Sequence, residues 1–571
     1  MKTAAVLSAL SLGLLSACGT DSTSATGTQG GSGGSDEGAS EGDDGGDGAG
    51  TAGGSGDNGG DAADEETGEP EDLPPPPATG IEIIEVTVDQ GIRVPVARNG
   101  AIVPGNERNQ AILSGRPAGV RAFYDVDPGY EGRTIYGLLT VIQDDGTEST
   151  YESFTNTSEM PCDQEWVYDC RYGSASGSFL WRVFPEDMQP NARYNIELLE
   201  TAPGHEDDVS DKSHIFPTDG SDLYIGIEDQ YMKMRVVVVP LYHDVGADCP
   251  EAPDLNEEFG VDFRGEPRTV ANYFGERLLA HNPVDEVEII VHDVVNFTGD
   301  MQTFQPASML QQLRFEEGAP PEYFYYGVGR PCQGGPDFAG IASLGGPTKG
   351  QAGSRIGWGV YYSNVGTTAD TFVHEIGHEQ GRSHIACNGQ EAGVDASYPD
   401  HPDGDTESFG MDAVADPMSI KPQSAHDYMT YCGSTWVSEW AWNKVFPWIA
   451  EISSWELESA PQDSPGRQAR VMYGSVDSEG QVHNTFVVDG WIDDDQLSSE
   501  ASVRFGRGGA LVAEQPAKWS QWEHTDGYNF QVEVPADFET IETLELESPT
   551  FHIELDRGAV ETIAAVDFTL K

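Results

Sequence analysis

From Ile81 to about residue 225, apolar and polar positions alternate in short runs: IEIIEVTV, GVRAFYDV, YGLLTVI, FLWRVF and YNIELLE. A period of two turns one face of a strand inward, and turn signals such as the DDG at 144–146 separate the runs. The pattern predicts an antiparallel, sandwich-like β domain over 81–225. It changes near residue 232. MRVVVVPLY is continuously apolar, as in a strand buried on both faces. TVANYFGERLLAH (269–281) has helical spacing through Val270, Tyr273, Phe274, Arg277 and Leu278, and VEIIVHDVV (287–295) is strand-like. ASMLQQLRF (307–315) is helix-like, and YFYYGVG and IGWGVYY are strand-like. This alternation predicts an α/β layer with a mainly parallel sheet over 226–455. Beyond residue 456 the period of two returns in ARVMYGSV, NTFVVDGWI, ASVRFGR, NFQVEV and TFHIEL. A second all-β, sandwich-like domain is expected over 456–571.

The chain begins MKTAAVLSALSLGLLSAC. Lys2 supplies a positive start, and the apolar run Ala4 to Leu15 is too short to span a bilayer as a permanent helix. Residues 1–18 therefore read as a secretory signal. Leu15-Ser16-Ala17-Cys18 resembles the lipobox of bacterial lipoproteins. That resemblance implies cleavage before Cys18, its lipidation, and a lipid-anchored exported protein. Gly19 after the cysteine fits the outer membrane or cell surface by the same family's rules. Residues 19–80 are Gly, Ser, Thr, Ala, Asp and Glu without Lys or Arg, and close on EPEDLPPPP. Such a segment has no apolar surface to bury and is expected to be a disordered linker.

The net charge is -67, of which the linker holds only a minor part. The folded region is thus acidic as well, which argues against nucleic acid as a partner, because phosphate binding needs basic surface. The acidic stretch YPDHPDGDTESFG (398–410) could hold Ca²⁺, although it lacks the Asp spacing of an EF-hand loop. Seven cysteines, less Cys18, leave six, an even number in an exported chain. The pairs Cys162–Cys170, Cys249–Cys332 and Cys387–Cys432 are expected, the first on sequence proximity alone.

VHEIGHEQGRSHIAC (373–387) carries the candidate chemistry. If Thr367 to Gln380 is a helix, Thr367 and Asp370 have capping-box spacing at its start. Ala369, Phe372, Val373 and Ile376 fall on one side, to pack on the sheet. His374 and His378, four apart, fall on the opposite side and can share one metal ion. Glu375 flanks them. Gly381 can end the helix in the left-handed conformation and let the chain bring back His384. Three imidazole ligands with an open fourth position are the arrangement of catalytic zinc.

His374-Glu375-x-x-His378-x-x-Gly381-x-x-His384 resembles the signature of the metzincin zinc endopeptidases. The resemblance implies a zinc protease domain over 226–455, with one Zn²⁺ on His374, His378 and His384. Glu375 is then the general base. It also implies a methionine turn beneath the metal, for which Met429 in HDYMTYC is the better candidate and Met418 the weaker. Tyr431, two residues on, holds the position from which a tyrosine reaches the metal or transition state in several metzincins. Ile385 departs from the residue that follows the third histidine in the better-known branches; HIAC and DYMTYCGSTWVSEW look more like bacterial secreted or lipoprotein members. The implied partners are a protein or glycoprotein substrate and the membrane, and the chain is expected to act as a monomer. RPCQGGPD (330–337) faintly resembles the matrixin segment that blocks zinc with a free cysteine, but a disulfide is the expected state of Cys332. His243, His292 and His426 have no partner spacing and are expected to be structural. Two other functions remain: a catalytically silent adhesion or binding lipoprotein, and a zinc amidase acting on peptidoglycan peptides.

Overall fold

The computed structural model describes residues 75–571, apart from 160–170, 206–207, 333, 388–392, 400–402, 458–465, 499, 567 and 569–571. The signal, the lipobox Cys18, most of the linker and the pair Cys162–Cys170 lie outside the described residues. The chain is a multidomain, mostly β protein with few helices.

The N-terminal alternation folds as two antiparallel sheets. The first contains β1 (Ile81–Asp89), β2 (Gly91–Arg98), β3 (Ala118–Val126) and, after two strands of the second sheet, β6 (Ser178–Val183), in the order β2-β1-β3-β6. The second runs β5-β4-β7, built from β4 (Thr134–Ile142), β5 (Glu148–Asn156) and β7 (Arg193–Glu200). Val86, Val120, Leu139, Trp181 and Ile196 point inward from both and form one core, the consequence of a period of two on facing sheets.

The central sheet has the order β9-β8-β10-β12-β11, from β8 (Lys233–His243), β9 (Glu286–Val291), β10 (Tyr323–Gly329), β11 (Gly340–Ala342) and β12 (Ile356–Val360). Its pairings are parallel, except that β11 runs antiparallel to β12 at the edge. The unbroken apolar run of β8 has a direct cause: Val236 and Val238 join the cluster with Phe274, Leu278 and Phe372, while Val237 and Val239 join the opposite one with Leu310 and Trp358. Helices cover both faces: α1 (Val270–His281) and α3 (Val365–Glu379) on one, α2 (Gln305–Glu316) on the other.

The N-terminal sandwich does not end cleanly at residue 225. Two short strands from far downstream, β13 (Gly410–Asp412) and β14 (Ser419–Lys421), extend its first sheet, β13 pairing with β2. The buried Arg116 side chain donates to the carbonyls of Gln90, Leu279, Asn282 and Val284, tying that sandwich to the end of α1. Trp436 Nε1 donates to Gly91 O. Helix α4 (Glu439–Ser454) follows, adding Trp442, Trp448 and Ile449 to the central core.

The C-terminal sheet comprises β15 (Arg467–Val476), β16 (Val482–Ile492), β17 (Ser502–Arg507), β18 (Ala510–Gln521), β19 (Tyr528–Glu533), β20 (Thr543–Glu547), β21 (His552–Leu555) and the short β22 (Glu561–Thr562). Strand β18 pairs through 510–516 with β17 and through 517–521 with β19, so it passes from one half of the sheet to the other. Met472 and Val487 from one half thereby meet Val503, Phe505 and Leu544 from the other in one core. This domain rests on α2 and its surroundings, with Phe315 against Tyr473 and Lys518 Nζ donating to Ser354 Oγ at 2.9 Å.

Cys249–Cys332 and Cys387–Cys432 are disulfide-bonded, as the even cysteine count led one to expect. The bonds suggest an extracytoplasmic protein. Among the described residues no helix is long and apolar enough to cross a membrane.

Candidate metal centre

Helix α3 begins earlier than its sequence pattern suggests. Its N-cap is Asn364, whose side chain accepts the Gly366 N–H at 2.9 Å. The expected Thr367–Asp370 capping box is absent: both residues lie inside the helix, and Asp370 pairs with Arg277 instead. Asn satisfies an orphan N–H at a helix start as well as Thr does, and an N-cap three residues upstream leaves Thr367 with helical geometry. Ala369, Phe372, Val373 and Ile376 are buried against the sheet, with Phe372 stacked on Phe274.

The helix ends at Glu379, and Gly381 takes φ +75°. The Gly381 N–H donates to His378 O and the Arg382 N–H to Gly377 O, the paired bonds of a Schellman stop. A side chain at position 381 would be strained in this conformation and would meet Gly345 O at 2.9 Å. The reversed chain carries His384 back over the helix, where Ile385 N–H donates to Met429 O.

Four imidazoles result where three were expected. His374, His378, His384 and His524 each offer a ring nitrogen, and these atoms all lie within 4.8 Å of one another. His378 is fully buried and His384 nearly so. His374 Nδ1 donates to Tyr428 O at 2.8 Å and His378 Nδ1 to Arg382 O at 2.6 Å. With the proton fixed on Nδ1, each presents its Nε2 lone pair to the shared space. Both Nε2 atoms are buried without a hydrogen-bond partner. Backbone carbonyls that orient ring nitrogens in this way are the usual outer support of metal-binding histidines. Burial, with the neighbouring imidazoles adding to it, holds His374 down at about 3, and His378 well below its ordinary value. The same causes lower His524 to about 4. His374, His378 and His524 are therefore neutral, the state in which imidazole binds a metal. Converging imidazole nitrogens, two of them orphaned and with fixed tautomers, fit a Zn²⁺-like cation.

Glu375 lies beside the cluster, 2% exposed, with Oε2 unpartnered. Burial pushes its carboxyl well above the usual range, and Glu523 adds to the effect. Gly340 on the edge strand β11 makes the space for it, since a Cβ there would stand 2.6 Å from the carboxylate.

Met429 is buried beneath α3. Its Sδ would lie 2.4 Å from a Cβ placed at Gly377, so the helix and the methionine segment approach as closely as glycine allows. Met418 lies between β13 and β14, part-buried. Tyr431 is 48% exposed on the rim of the cleft, with its hydroxyl 3.1 Å from His384 Nε2 and 2.6 Å from His524 Nδ1. His524 escaped sequence reasoning because it lies on the β18–β19 hairpin, 140 residues beyond His384. The one local signal was Trp522, an apolar residue in the otherwise polar turn WEHTDGY.

The remaining candidates have other partners. Cys332 is in its disulfide. Cys387 and Cys432 lie near His426, but as a disulfide they offer no thiolate. His243 Nε2 bonds Gly299 O, His292 pairs with Glu317, and His426 pairs with Asp405. That last pair also engages one carboxylate of the stretch expected to suit Ca²⁺, of which 400–402 lie outside the described residues. No family model matches the chain, and neither a curated protein nor a solved structure matches it.

Proposed function

We propose that the chain is a zinc-dependent endopeptidase of metzincin type, exported and tethered through lipid on Cys18, that hydrolyses peptide bonds of proteins or glycoproteins. One observation carries the reading: three imidazoles from a single helix-and-return segment, two of them oriented by backbone carbonyls, share a space with a buried carboxyl that has one oxygen without a hydrogen-bond partner. His374, His378 and His384 would hold the zinc, which when bound polarises a carbonyl and makes water acidic. Glu375 takes the proton from the attacking water and returns it to the leaving amine nitrogen. The Tyr431 hydroxyl, on the rim beside His384, donates to the developing oxyanion. Strand β11 is the edge of the central sheet next to Glu375, and its backbone groups can align an extended chain by strand addition.

The test is prolonged incubation with an unfolded protein such as reduced, alkylated casein. Cleavage at internal bonds is expected, abolished by a zinc chelator and restored by Zn²⁺. Cleavage that survives chelation overturns the reading. So does its absence both here and from the hairpin variants described below. A second reading, a catalytically silent binding lipoprotein, is favoured by the fourth imidazole, because four protein ligands are the mark of a structural site.

A further inference from the structure

We infer that His524 is a fourth metal ligand acting as a latch: the tip of the β18–β19 hairpin closes the position that a substrate needs, and the peptidase is latent until the tip withdraws. The inference rests on the endopeptidase reading above and concerns the control of that site.

His524 is not an incidental surface histidine. Only 14% of its side chain is exposed, and its ring centroid lies 4.9 Å from that of His384 and 5.8 Å from that of His378. Its Nδ1–H donates to the Tyr431 hydroxyl oxygen at 2.6 Å, which leaves the Nε2 lone pair facing the cluster, 3.9 Å from Glu375 Oε1. Its backbone stands at φ +60°, a left-handed conformation uncommon for a residue other than glycine. Four imidazole donors close a tetrahedron, whereas hydrolytic zinc sites keep one position open.

The hairpin also occupies the edge strand. Glu523 N–H donates to Ala342 O, at the end of β11. An extended polypeptide aligned on β11 needs that same edge. The tip therefore takes both places at once, the fourth metal position and the strand-addition edge. It also divides the cleft. A cavity of about 670 Å³ lies on one side, lined by Asp337, Gly340, Thr371 and Glu375 among others. One of about 380 Å³ lies on the other, against His384, Gly393 and Gln521. His524 and Tyr431 are the two residues that line both.

The latch has a fixed base and a small tip. Trp522 is fully buried and stacked on Phe304, and Gly527 lies against the same ring, where a Cβ would be 2.3 Å from it. Trp522 N–H closes the loop on Gly527 O. Between these anchors only Glu523, His524, Thr525 and Asp526 need move to release the site. Local openings of this size are common on the low-stability side of a folded domain.

The test compares full-chain wild type with His524→Ala and His524→Gln, the second keeping a polar side chain of similar reach. Zinc K-edge absorption counts the ligands, thermal unfolding reports the fold, and casein cleavage reports activity. The inference expects four nitrogen ligands in the wild type and three plus a solvent oxygen in both variants. Unfolding temperature should change little, and cleavage should rise at least tenfold. Unchanged coordination, with cleavage already complete in the wild type, overturns the latch and leaves the peptidase reading standing. Loss of a ligand with no cleavage in any form overturns the peptidase reading, and the latch with it, leaving His524 as a ligand only. Loss of zinc and folding together in both variants shows a closed structural site and overturns the latch.

Discussion

Replacing Glu375 by Gln, in the His524→Ala protein so that the cleft is open, leaves the metal bound and lowers peptide hydrolysis by roughly 10²–10⁴-fold, the ordinary worth of a positioned general base. Gln has nearly the shape of Glu, so it fits the space that Gly340 leaves. It cannot take a proton from water. Glu375 is suited to that task because it is almost wholly buried, one of its oxygens has no hydrogen-bond partner, and it stands beside the histidine nitrogens. Steady-state cleavage together with metal content on the same preparations checks the result. Full activity in the variant would remove Glu375 from the chemistry; loss of metal would mean that the substitution disturbed the helix.

Asp427→Ala should destabilise the fold by about 3–5 kcal/mol, the cost of leaving one partner of a buried ion pair alone. Asp427 is completely buried. Its Oδ1 accepts the Met429 N–H at 3.0 Å, and its other oxygen accepts the Ser438 hydroxyl. Arg382 Nη2 lies 3.6 Å from it, and that guanidinium is itself fully buried between Tyr428 and Trp440. The same two segments supply the carbonyls of Arg382 and Tyr428 that orient His378 and His374. Metal affinity should therefore fall by about 10–100-fold along with stability, as is usual when outer support is lost. Denaturant unfolding and a zinc titration measure the two effects. Substituting Met for Arg382 in the same protein should recover part of the stability by removing the stranded charge. An Asp427→Ala protein as stable as the wild type would show that the pair does not hold the methionine turn.

These two residues also show what was legible in the sequence. His374, Glu375, His378 and His384 lie within one helix and its return, so a period of 3.6 and one glycine were enough to bring them together on paper. Met429 was reachable only through resemblance, because nothing in its local pattern says which helix it supports. No periodic pattern marks Asp427 or Arg382; the Arg382 guanidinium is covered by Tyr428, beside Asp427, and by Trp440 from the following helix. His524 could not be found by spacing, since its approach is set by where the C-terminal sandwich packs on α2 and how far β18 projects beyond it. The helix start was misplaced because Thr367 and Asp370 satisfied one local rule while Asn364 satisfied a stronger competitor. The long alternating runs foretold the strands of both β regions. The three-residue strands β13 and β14 were too short to show a period, which hid the way the N-terminal sheet is completed from residues 410–421.

Everything proposed for this protein depends on a metal at the histidine cluster. Elemental analysis of the purified full chain after dialysis, in the wild type and in a His374→Ala/His378→Ala variant, tests that most directly. The account predicts one zinc per chain in the first and none in the second. A metal-free wild type that also fails to take up added Zn²⁺, or equal zinc in both proteins, would contradict it.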